Sequence, residues 1–424
     1  MAKRHRSQVG NLQSLFLRLE ELVLANSGQD EFDEIFKLVI AKLFDEKFNA
    51  SPEFIVSPSA TDVYDRITAL LRKAESRWPG VLPPLAEPGL TPEHLSVCVG
   101  ELAQHRLVTG SLESFDEFFE FLVARAAKGN KGQYFTPRHV VEMCVRLIDP
   151  GPDDIIGDPA CGSGGFLVHA LQHVRRKLGD DTELTSRYAA QSIWGFDLDE
   201  RAIRISRALM MIAGDGSSNL FRLNSLLTSH QQRLLLPNST TEAAMTIEDV
   251  VHPKLKGQGI FDVILTNPPF AGEIRESDLL EAYDNSRGKS RVERDVLFIE
   301  RCVNLLKPGG RMAIVLPHNK LSSAFFSDLR LWVMRRCAMV GVISLGRNVF
   351  MPHTQQKTGV VVLRKKNRAS EITSEPVFLA VSERDGKDSR GNHILRDGAI
   401  MDAPLWDRLD HDLGDIVAHF SRAA

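Results

Sequence analysis

The sequence predicts a doubly wound α/β sheet with an antiparallel edge strand, preceded by a helical N-terminal domain. From about residue 138 to residue 366, short apolar runs that end in a polar residue alternate with amphipathic helical stretches. This alternation is typical of parallel strands joined by helices. The last two predicted strands, 340–345 and 358–363, have no helix between them. We therefore expect these two strands to form an antiparallel pair at the edge of the sheet.

The composition is typical of a globular protein with a sizeable core, since 43% of its residues are hydrophobic and 25% are charged. At 424 residues the chain is expected to hold two or three domains of roughly 100–200 residues each. No apolar run reaches the ~18 residues that would predict a membrane span. The five cysteines lack the paired spacing of disulfides or zinc ligands. This scatter favours a reducing cytoplasm and predicts no metal site.

The net charge of −3 bears on nucleic-acid binding. A protein that grips nucleic acid alone usually carries a basic excess, which this chain lacks. Any nucleic-acid contact is therefore expected to be a local patch or to be shared with a partner.

The first 111 residues are predicted to be helical and carry no motif with recognisable chemistry. Apolar residues recur at helical spacing from Leu12 to Val23 and again from Phe32 to Leu43. Prolines between residues 78 and 92 predict an irregular connection. A capping-box pattern at Ser114 predicts a further helix that ends at Gly129. The apolar stripes indicate ordinary helix packing, whereas an excess of exposed apolar residues would indicate a docking surface.

The loop of residues 131–137 leads into the first helix of the alternating region. Thr136 is a good N-cap and Pro137 a good first helical residue. Gln133, Tyr134 and Phe135 come directly before them. Aromatic residues in such a loop fit the wall of a cofactor pocket, although taken alone they are more often packing residues.

The strongest local pattern is the glycine loop, residues 158–166, which follows a short strand and opens a helix. Its residues are Asp158, Pro159, Ala160, Cys161, Gly162, Ser163, Gly164, Gly165 and Phe166. Glycines at a helix N-terminus let a ligand approach the backbone closely. The pattern is Gly-x-Gly-Gly, not the Gly-x-Gly-x-x-Gly of dinucleotide motifs, and it has no Lys-Ser/Thr of phosphate loops. A nucleoside without a pyrophosphate therefore fits better. Asp158 is placed to bind the ammonium end of such a cofactor.

Two further strands end in polar residues. Asp197 ends a predicted strand at 192–197, where an acid is expected to bind ribose hydroxyls. Asn224 follows a predicted strand at 220–223 and is placed to touch an adenine ring, although a turn-forming role is equally compatible with its position.

The NPPF motif (Asn267, Pro268, Pro269 and Phe270) follows the apolar run 261–266, which predicts a buried parallel strand. Two prolines stiffen the loop. The Asn267 side-chain oxygen and the Pro268 carbonyl then act as two acceptors beside an aromatic ring. This set fits an exocyclic amino group on a flat base. An ordinary turn with a buried Phe is the alternative for the motif by itself.

Taken together, these motifs closely resemble the class I S-adenosylmethionine-dependent methyltransferases, and within them the adenine-N6 DNA methylases that serve as modification subunits of type I restriction-modification systems. Residues 132–137 resemble the amino-terminal cofactor motif and the glycine loop resembles the glycine-rich motif. Asp197 corresponds to the ribose-binding acid, and the NPPF motif to the catalytic motif, with Asn267 bordering the cofactor as well. Class I methyltransferases commonly have an acid at the position of Asn224. The asparagine is therefore a departure from the family pattern, and it weakens the assignment of an adenine contact to this residue.

The resemblance implies transfer of a methyl group from S-adenosylmethionine to a flipped-out adenine in double-stranded DNA. An adenine amino nitrogen is a poor nucleophile because its lone pair is delocalised into the ring. Hydrogen bonds to Asn267 and Pro268 would favour a more pyramidal nitrogen, with Phe270 stacked on the base. The chain has no Pro-Cys nucleophile of the cytosine-C5 type at this turn, and Cys161 is interpreted as a small apolar residue.

We expect a helical N-terminal domain at 1–111, the methyltransferase domain at 112–366, and a C-terminal extension at 367–424 available for subunit contact. The extension is too short for a dedicated target-recognition domain. The resemblance implies a separate specificity subunit that binds two copies of this chain, sometimes with a restriction subunit.

Two alternatives from other classes stay open at this point. A protein-glutamine or RNA-adenine methyltransferase would use a similar turn for its target nitrogen. A non-catalytic scaffold would bind cofactor and partner only, although Asp158, Asp197 and Asn267 are all present.

Overall fold

The structure is a computed structural model that describes residues 8–22, 27–83, 86–107, 136–214, 219–228, 245–251, 259–369, 375–400 and 403–423. The chain forms two compact units. One comprises Met1–Gly129 and Arg207–Ile212, and the other comprises Asn130–Ser206 and Ala213–Ala424. The helix predicted from Ser114 to Gly129 lies outside the described residues. Among the described helices, none is both long and apolar enough to cross a membrane.

The described part of the first unit is helical, as predicted. Its helices are α1 (Gln8–Leu22), α2 (Glu31–Phe48), α3 (Ala60–Arg77) and α4 (Pro92–Ala103). Asp30 and Ser59 cap α2 and α3 by accepting hydrogen bonds from backbone amides in the first turn of each helix. The predicted apolar stripe of α2 is buried, and α2 and α4 both pack against α3.

The second unit alternates strands and helices. Its strands are β1 (Ile156–Asp158), β2 (Ile193–Asp197), β3 (Asn219–Arg222), β4 (Phe261–Thr266), β5 (Glu273–Ile274), β6 (Val292–Glu293), β7 (Leu306–Pro317), β8 (Cys337–Ser344), β9 (Thr358–Lys365) and β10 (Phe378–Val381). Its helices include α5 (Arg138–Ile148), α6 (Gly165–Lys177), α7 (Thr182–Ser192), α8 (Glu200–Ala213), α9 (Ile247–Val251), α10 (Ser277–Glu281), α11 (Arg294–Leu305), α12 (His318–Ser322), α13 (Ser327–Arg336), α14 (Leu405–Arg408) and α15 (Leu413–Ala423). Residues 207–212 of α8 fall in the first unit.

The central sheet has eight strands in the order β10-β8-β9-β7-β4-β1-β2-β3. Neighbouring strands are parallel except where β9 is involved, because β9 runs antiparallel to both β7 and β8. The separate two-stranded ribbon of β5 and β6 is antiparallel. The predicted doubly wound class is therefore confirmed.

The antiparallel strand lies inside the sheet, which corrects the prediction that it lies at the edge. β8 and β9 do pair antiparallel. However, β9 also pairs with β7, and β10 covers the outer side of β8. β10 has only four residues, and two of them, Leu379 and Val381, are 74% and 64% exposed. A strand this short and half-exposed lacks the apolar run by which strands are predicted from sequence. It also falls within residues 367–424, which are predicted to be an extension.

β7 contains a bulge near its start. Phe261 pairs with Leu306, whereas Val263 pairs with Arg311, so residues 307–310 bulge out of the strand. Gly309 adopts a φ of +78° within this bulge. Residues 307–310, a Lys-Pro-Gly-Gly sequence typical of a turn, therefore form a bulge inside a longer strand, and residues 311–317 are its regular part.

Helices pack on the sheet, and several predicted site residues lie at the edge where its parallel strands end. A large apolar cluster joins β2, β4 and β7 to α11 and α13, with Trp194, Phe196 and Phe261 among its largest members. α5 packs against α6 and α15. Because β1, β2, β3, β4 and β7 are parallel, their carboxyl ends meet at the same edge of the sheet. Asp158, Asp197 and the NPPF motif all lie at or directly after those ends.

Gly157 is expected to be intolerant of a side chain, because a Cβ there would lie 2.6 Å from the Phe261 ring. Gly157→Ala should lower the free energy of unfolding by about 1–3 kcal/mol through overpacking. Urea unfolding of the full chain measures this. Gly151→Ala is the matched control, since the nearest atom to its Cβ would be 3.6 Å away. Equal stability of the two variants would contradict the tight contact between β1 and β4.

Candidate functional site

Backbone amides of the glycine loop donate hydrogen bonds that hold it to β2. The Cys161 amide donates to the Phe196 carbonyl at 3.0 Å, and the Gly162 amide donates to Asp197 Oδ2 at 2.9 Å. The Gly164 amide closes the turn by donating to the Cys161 carbonyl at 2.8 Å. The loop between β1 and α6 is thus fixed against the carboxyl end of the neighbouring strand.

Gly164 and Gly165 leave no room for side chains. Gly164 has a φ of +84° as the N-cap of α6, and a Cβ there would collide with Ser206. A Cβ at Gly165 would collide with the Arg138 guanidinium. Ser163 and Phe166 are buried, whereas Ala160 and Gly162 are half-exposed. The accessible part of the loop is therefore largely backbone, as a close-fitting ligand site requires.

Asp158 is a fully buried carboxyl group at the end of β1. Its Oδ1 accepts the Ala160 amide at 3.0 Å, and its Oδ2 is buried without a hydrogen bond from the described residues. Burial raises the pKa of Asp158 to about 7, although the Thr266 side chain and the Ala160 amide act in the opposite direction. A cationic group is the chemical complement of such a carboxylate.

The raised pKa of Asp158 also has a consequence for stability. The folded state holds this proton more tightly than the unfolded chain, whose carboxyl pKa is near 3.8. The contribution of Asp158 to stability therefore falls as the pH rises from about 4 towards about 7. A bound cation would offset this loss.

Asp197 lies at the end of β2 and is half-buried. Its two oxygens accept the amides of Gly162 and Asp199, each at 2.9 Å. Burial raises the pKa of Asp197, and these backbone donors lower it in part. Each carboxylate oxygen has a second lone pair, so the side chain can accept ribose hydroxyls while it holds the loop.

Asn224 begins a turn after β3. Its side-chain oxygen accepts the Leu226 amide at 3.1 Å, and its carbonyl accepts the Leu227 amide at 3.0 Å. This is the turn-forming role that its position allowed. The turn lies at the same edge as Asp197, because β3 pairs with β2 in parallel.

The NPPF motif lies beside the glycine loop. β4 pairs with β1 in parallel, with Gly157 opposite Ile264, so the residues that follow each strand are neighbours. Asn267 is half-buried and Pro268 is buried. Phe270 is 8% exposed, and its ring meets the Phe350 ring edge-on at a centroid distance of 5.9 Å.

Phe350 is a site residue that sequence reasoning missed. It lies in the connection between β8 and β9 and is 1% exposed. The connection is tied to the C-terminal segment, since Asp385 Oδ2 accepts the Asn348 amide at 3.0 Å and Lys387 donates to the Met351 carbonyl at 3.1 Å. The sequence did offer one indication of this residue. The predicted strand at 340–345 is expected to end at the same edge of the sheet as the other site strands, so the connection that follows it belongs to the same group of loops.

The predicted amino-terminal motif is only partly visible. Gln133, Tyr134 and Phe135 lie outside the described residues, and Thr136 is buried. α5 begins at Arg138 with Pro137 at its N-cap, and no side chain caps it. The prediction that Thr136 is the N-cap was therefore wrong by one residue, because Pro137 has the extended ψ of 139°.

The buried Cys161 lies in the glycine loop between two carboxylates. Burial, together with the charges of Asp197 and Asp158, raises the pKa of its thiol well above the ordinary value. The thiol is therefore protonated at neutral pH, as expected of a packing residue and not of a nucleophile.

Comparison with known proteins agrees with this arrangement. The methylase subunit of the type I restriction enzyme EcoEI from Escherichia coli is 28% identical over 258 residues, which are 61% of this chain and 47% of that protein. The chain thus spans about half the length of this curated relative.

Solved structures of low identity share the fold. A chain from Vibrio vulnificus YJ016, assigned as a modification subunit of a type I restriction enzyme, has a TM-score of 0.61 at 19% identity, covering 93% of this chain and 87% of its own. A protein from Listeria monocytogenes, assigned as a class I S-adenosylmethionine-dependent methyltransferase, has a TM-score of 0.54 at 16% identity, covering 88% and 93%.

The family model of the N-6 DNA methylases matches residues 111–421, which include the glycine loop, Asp197, Asn224, the NPPF motif and the whole central sheet. The match covers most of the chain, and the chain therefore belongs to the N-6 DNA methylase family.

Proposed function

We propose that this chain transfers a methyl group from S-adenosylmethionine to the N6 atom of a flipped-out adenine in double-stranded DNA. The observation that carries the proposal is the parallel pairing of β1 with β4. This pairing sets a loop suited to a cationic nucleoside beside a loop suited to an exocyclic amino group. Membership of the N-6 DNA methylase family supports the same reaction.

On the cofactor side, the described residues fit S-adenosylmethionine. Asp158 offers a buried carboxylate oxygen to the ammonium group, and the backbone around Gly162 and Gly164 allows close approach. Asp197 would accept the ribose hydroxyls, and Asn224 would lie near the adenine. The bound cofactor supplies an electrophilic methyl group on a sulfonium. Gln133, Tyr134, Phe135 and Thr136 would complete the enclosure.

On the target side, Asn267 and Pro268 would accept the two hydrogens of the adenine amino group. Their acceptors would draw the nitrogen lone pair out of conjugation, so that it faces the methyl donor. The Phe270 ring would stack on the base. Its edge contact with Phe350 supports this role, because that contact limits the positions the ring can take. Pro269 would hold the ring at a fixed place after the acceptors.

DNA binding is proposed to be shared with a partner. The segment after the NPPF motif carries exposed arginines, but each is matched by an acid. Arg275 pairs with Glu273 at 2.9 Å, and Arg291 approaches the same carboxylate at 3.6 Å. Arg287 lies 3.8 Å from Asp284. Because these positive charges are paired with acids, the segment after the NPPF motif attracts DNA phosphates only weakly by itself.

The partner is proposed to be a separate specificity subunit that binds two copies of this chain. Such an assembly would make this chain the modification subunit of a type I restriction-modification system in the cytoplasm, with or without a restriction subunit. The support is the similarity to the EcoEI methylase subunit and the net charge of −3.

The first prediction from the proposed function concerns Asn267. Asn267→Ala should lower kcat for adenine methylation by at least about 100-fold, because one of two acceptors on the reacting amino group is lost. Binding of S-adenosylmethionine should change little. Single-molecule sequencing of DNA from cells that express the chain with its adjacent genes reads out the transfer. Calorimetry on the purified variant reads out cofactor binding.

Asn319→Ala is a suitable control for this variant, since Asn319 also follows a strand at the carboxyl edge but lies outside the NPPF motif. Methylation that persists in Asn267→Ala would reject the catalytic assignment. Loss of cofactor binding together with methylation, in a variant that unfolds in urea like the wild type, would instead assign Asn267 to the cofactor and not to the target base.

The second prediction concerns the pH dependence of cofactor binding. The Asp158 carboxyl has a pKa of about 7 without a ligand, and only its ionised form attracts an ammonium group. The affinity for S-adenosylmethionine should therefore fall below pH 7, approaching about tenfold per pH unit. It should also fall above about pH 8, where an α-amino group loses its proton. Isothermal titration calorimetry from pH 6 to 9 measures this.

Asp158→Asn should bind the cofactor more weakly and should lose the acidic limb of the pH profile, because no carboxyl remains to titrate. Its alkaline limb should stay. A wild-type affinity that is constant between pH 6 and 7.5 would contradict the role assigned to Asp158.

The third prediction concerns the partner. The isolated chain should bind duplex DNA weakly and without sequence preference, and coexpression with the specificity subunit should produce a complex that binds one sequence tightly. Mobility-shift assays at several salt concentrations compare the two, because a shared phosphate contact steepens the salt dependence. Tight, sequence-specific binding by the chain alone would overturn this prediction.

A further inference from the structure

The turn after β3 is held from behind by two distant side chains. In the Asn224 turn (residues 224–227), three consecutive carbonyls accept hydrogen bonds. Arg301 Nε donates to the Ser225 carbonyl at 2.7 Å, and Arg301 Nη2 donates to the Leu227 carbonyl at 3.2 Å. The Tyr283 hydroxyl donates to the Leu226 carbonyl between them at 2.5 Å. Both donors come from the chain segment that follows the NPPF motif.

These donors are themselves held firmly. Arg301 is 3% exposed and pairs with both oxygens of Glu248, at 2.6 and 2.7 Å. Burial alone would raise the pKa of Glu248, but the Arg301 pairing outweighs it and lowers that pKa. Tyr283 is 1% exposed. The adjacent buried Glu300 accepts the amides of Asp284 and Asn285 at 2.7 and 2.9 Å, which fixes the turn that follows Tyr283.

A buried arginine that bonds two backbone carbonyls and an acid contributes little net stability. Removing charges from water costs about as much as their pairing returns, so a well-packed apolar core would stabilise the unit at least as well. What the arrangement provides is geometry. The hydrogen bonds of Tyr283 and Arg301 can all form only when the three carbonyls occupy one arrangement. The Asn224 turn is therefore fixed in one position relative to α11.

The position of the turn decides what Asn224 offers to a ligand. Its side-chain oxygen already accepts the Leu226 amide at 3.1 Å, so its NH2 group is the part best suited to a ligand. An NH2 donor matches a ring nitrogen of adenine, which is an acceptor, and not the exocyclic amino group, which is a donor. The carbonyl of Leu226 is the one held by Tyr283, so the same residue is fixed on both its amide and its carbonyl side.

We infer that Tyr283 and Arg301 are positioning residues that fix the Asn224 turn, and with it the adenine end of the cofactor pocket, from the segment that follows the NPPF motif. The inference rests on the proposed function for the identity of the cofactor. It assigns a positioning task to two buried residues that lie between the NPPF motif and β7. Neither residue touches substrate or cofactor; both act through Asn224.

The test is a double-mutant cycle on cofactor affinity, measured by calorimetry without DNA. Tyr283→Phe removes one hydroxyl and should raise the Kd for S-adenosylmethionine about five-fold, the usual effect of one lost hydrogen bond. kcat at saturating cofactor should stay within about two-fold of the wild type, since the reacting atoms are untouched. Asn224→Ala should also raise Kd. The double variant should bind like Asn224→Ala alone, because Tyr283 acts through Asn224.

Tyr188→Phe is the matched control. Tyr188 is also a buried tyrosine whose hydroxyl donates to a backbone carbonyl, that of Asp154 at 2.8 Å, but Asp154 precedes β1 at the opposite edge of the sheet. It should lose as much stability as Tyr283→Phe and keep the wild-type Kd. Arg301→Lys, which keeps the charge and loses the fork of donors, should raise Kd as Tyr283→Phe does.

The outcomes separate clearly. Additive effects of Asn224→Ala and Tyr283→Phe on Kd, or an equal rise in Tyr188→Phe, would show a merely structural role and overturn the inference. The cycle is measured without DNA. Coupling in the cycle, together with no adenine methylation by the wild-type chain expressed with its adjacent genes, would therefore keep the inference and remove the proposed function. Failure of Arg301→Lys to fold leaves the tyrosine cycle to decide.

Discussion

The pairing of β1 with β4 is the constraint on which the rest of the site depends. β1 has only three residues, and it joins the strand that carries the NPPF motif to the strand that carries Asp197. At the opposite edge the pairing is reinforced, since Asp262 Oδ2 accepts the Ile155 amide at 3.0 Å and the Lys307 ammonium at 2.7 Å. The Phe261 ring packs so closely on Gly157 that no side chain fits between β1 and β4 at this position. The two halves of the site are thus fixed by one strand.

Around this strand the protein accepts buried polar groups that do not favour folding. Asp158 is the clearest case. Burial raises its pKa to about 7, and a nearby cation would stabilise the ionised carboxylate. Arg301 and Glu248 form a second case, where the return is a defined position for the Asn224 turn. Both arrangements lower the free energy of unfolding relative to an apolar core and hold polar groups in the positions that a ligand would need. Such costs are common at functional sites.

Segments distant in sequence support each loop of the site. The connection between β8 and β9 brings Phe350 against Phe270, and the C-terminal segment holds that connection through Asp385 and Lys387. Residues beyond 366 therefore take part in the second unit through β10 and these contacts. The predicted domain limits at 111 and 366 stay predictions, as do the roles of the site residues.

The sequence by itself determined the doubly wound class, the strands that end at Asp158, Asp197 and Thr266, and the set of motifs, because strand termination and glycine or proline turns are local properties. Only the tertiary structure decided where β9 lies, which aromatic ring meets Phe270, and which side chains hold the Asn224 turn. These features arise from pairings between segments far apart in the chain. No local pattern in β10 or around Tyr283 and Arg301 records such partners, because a hydrogen bond to a backbone carbonyl requires no particular residue at the acceptor.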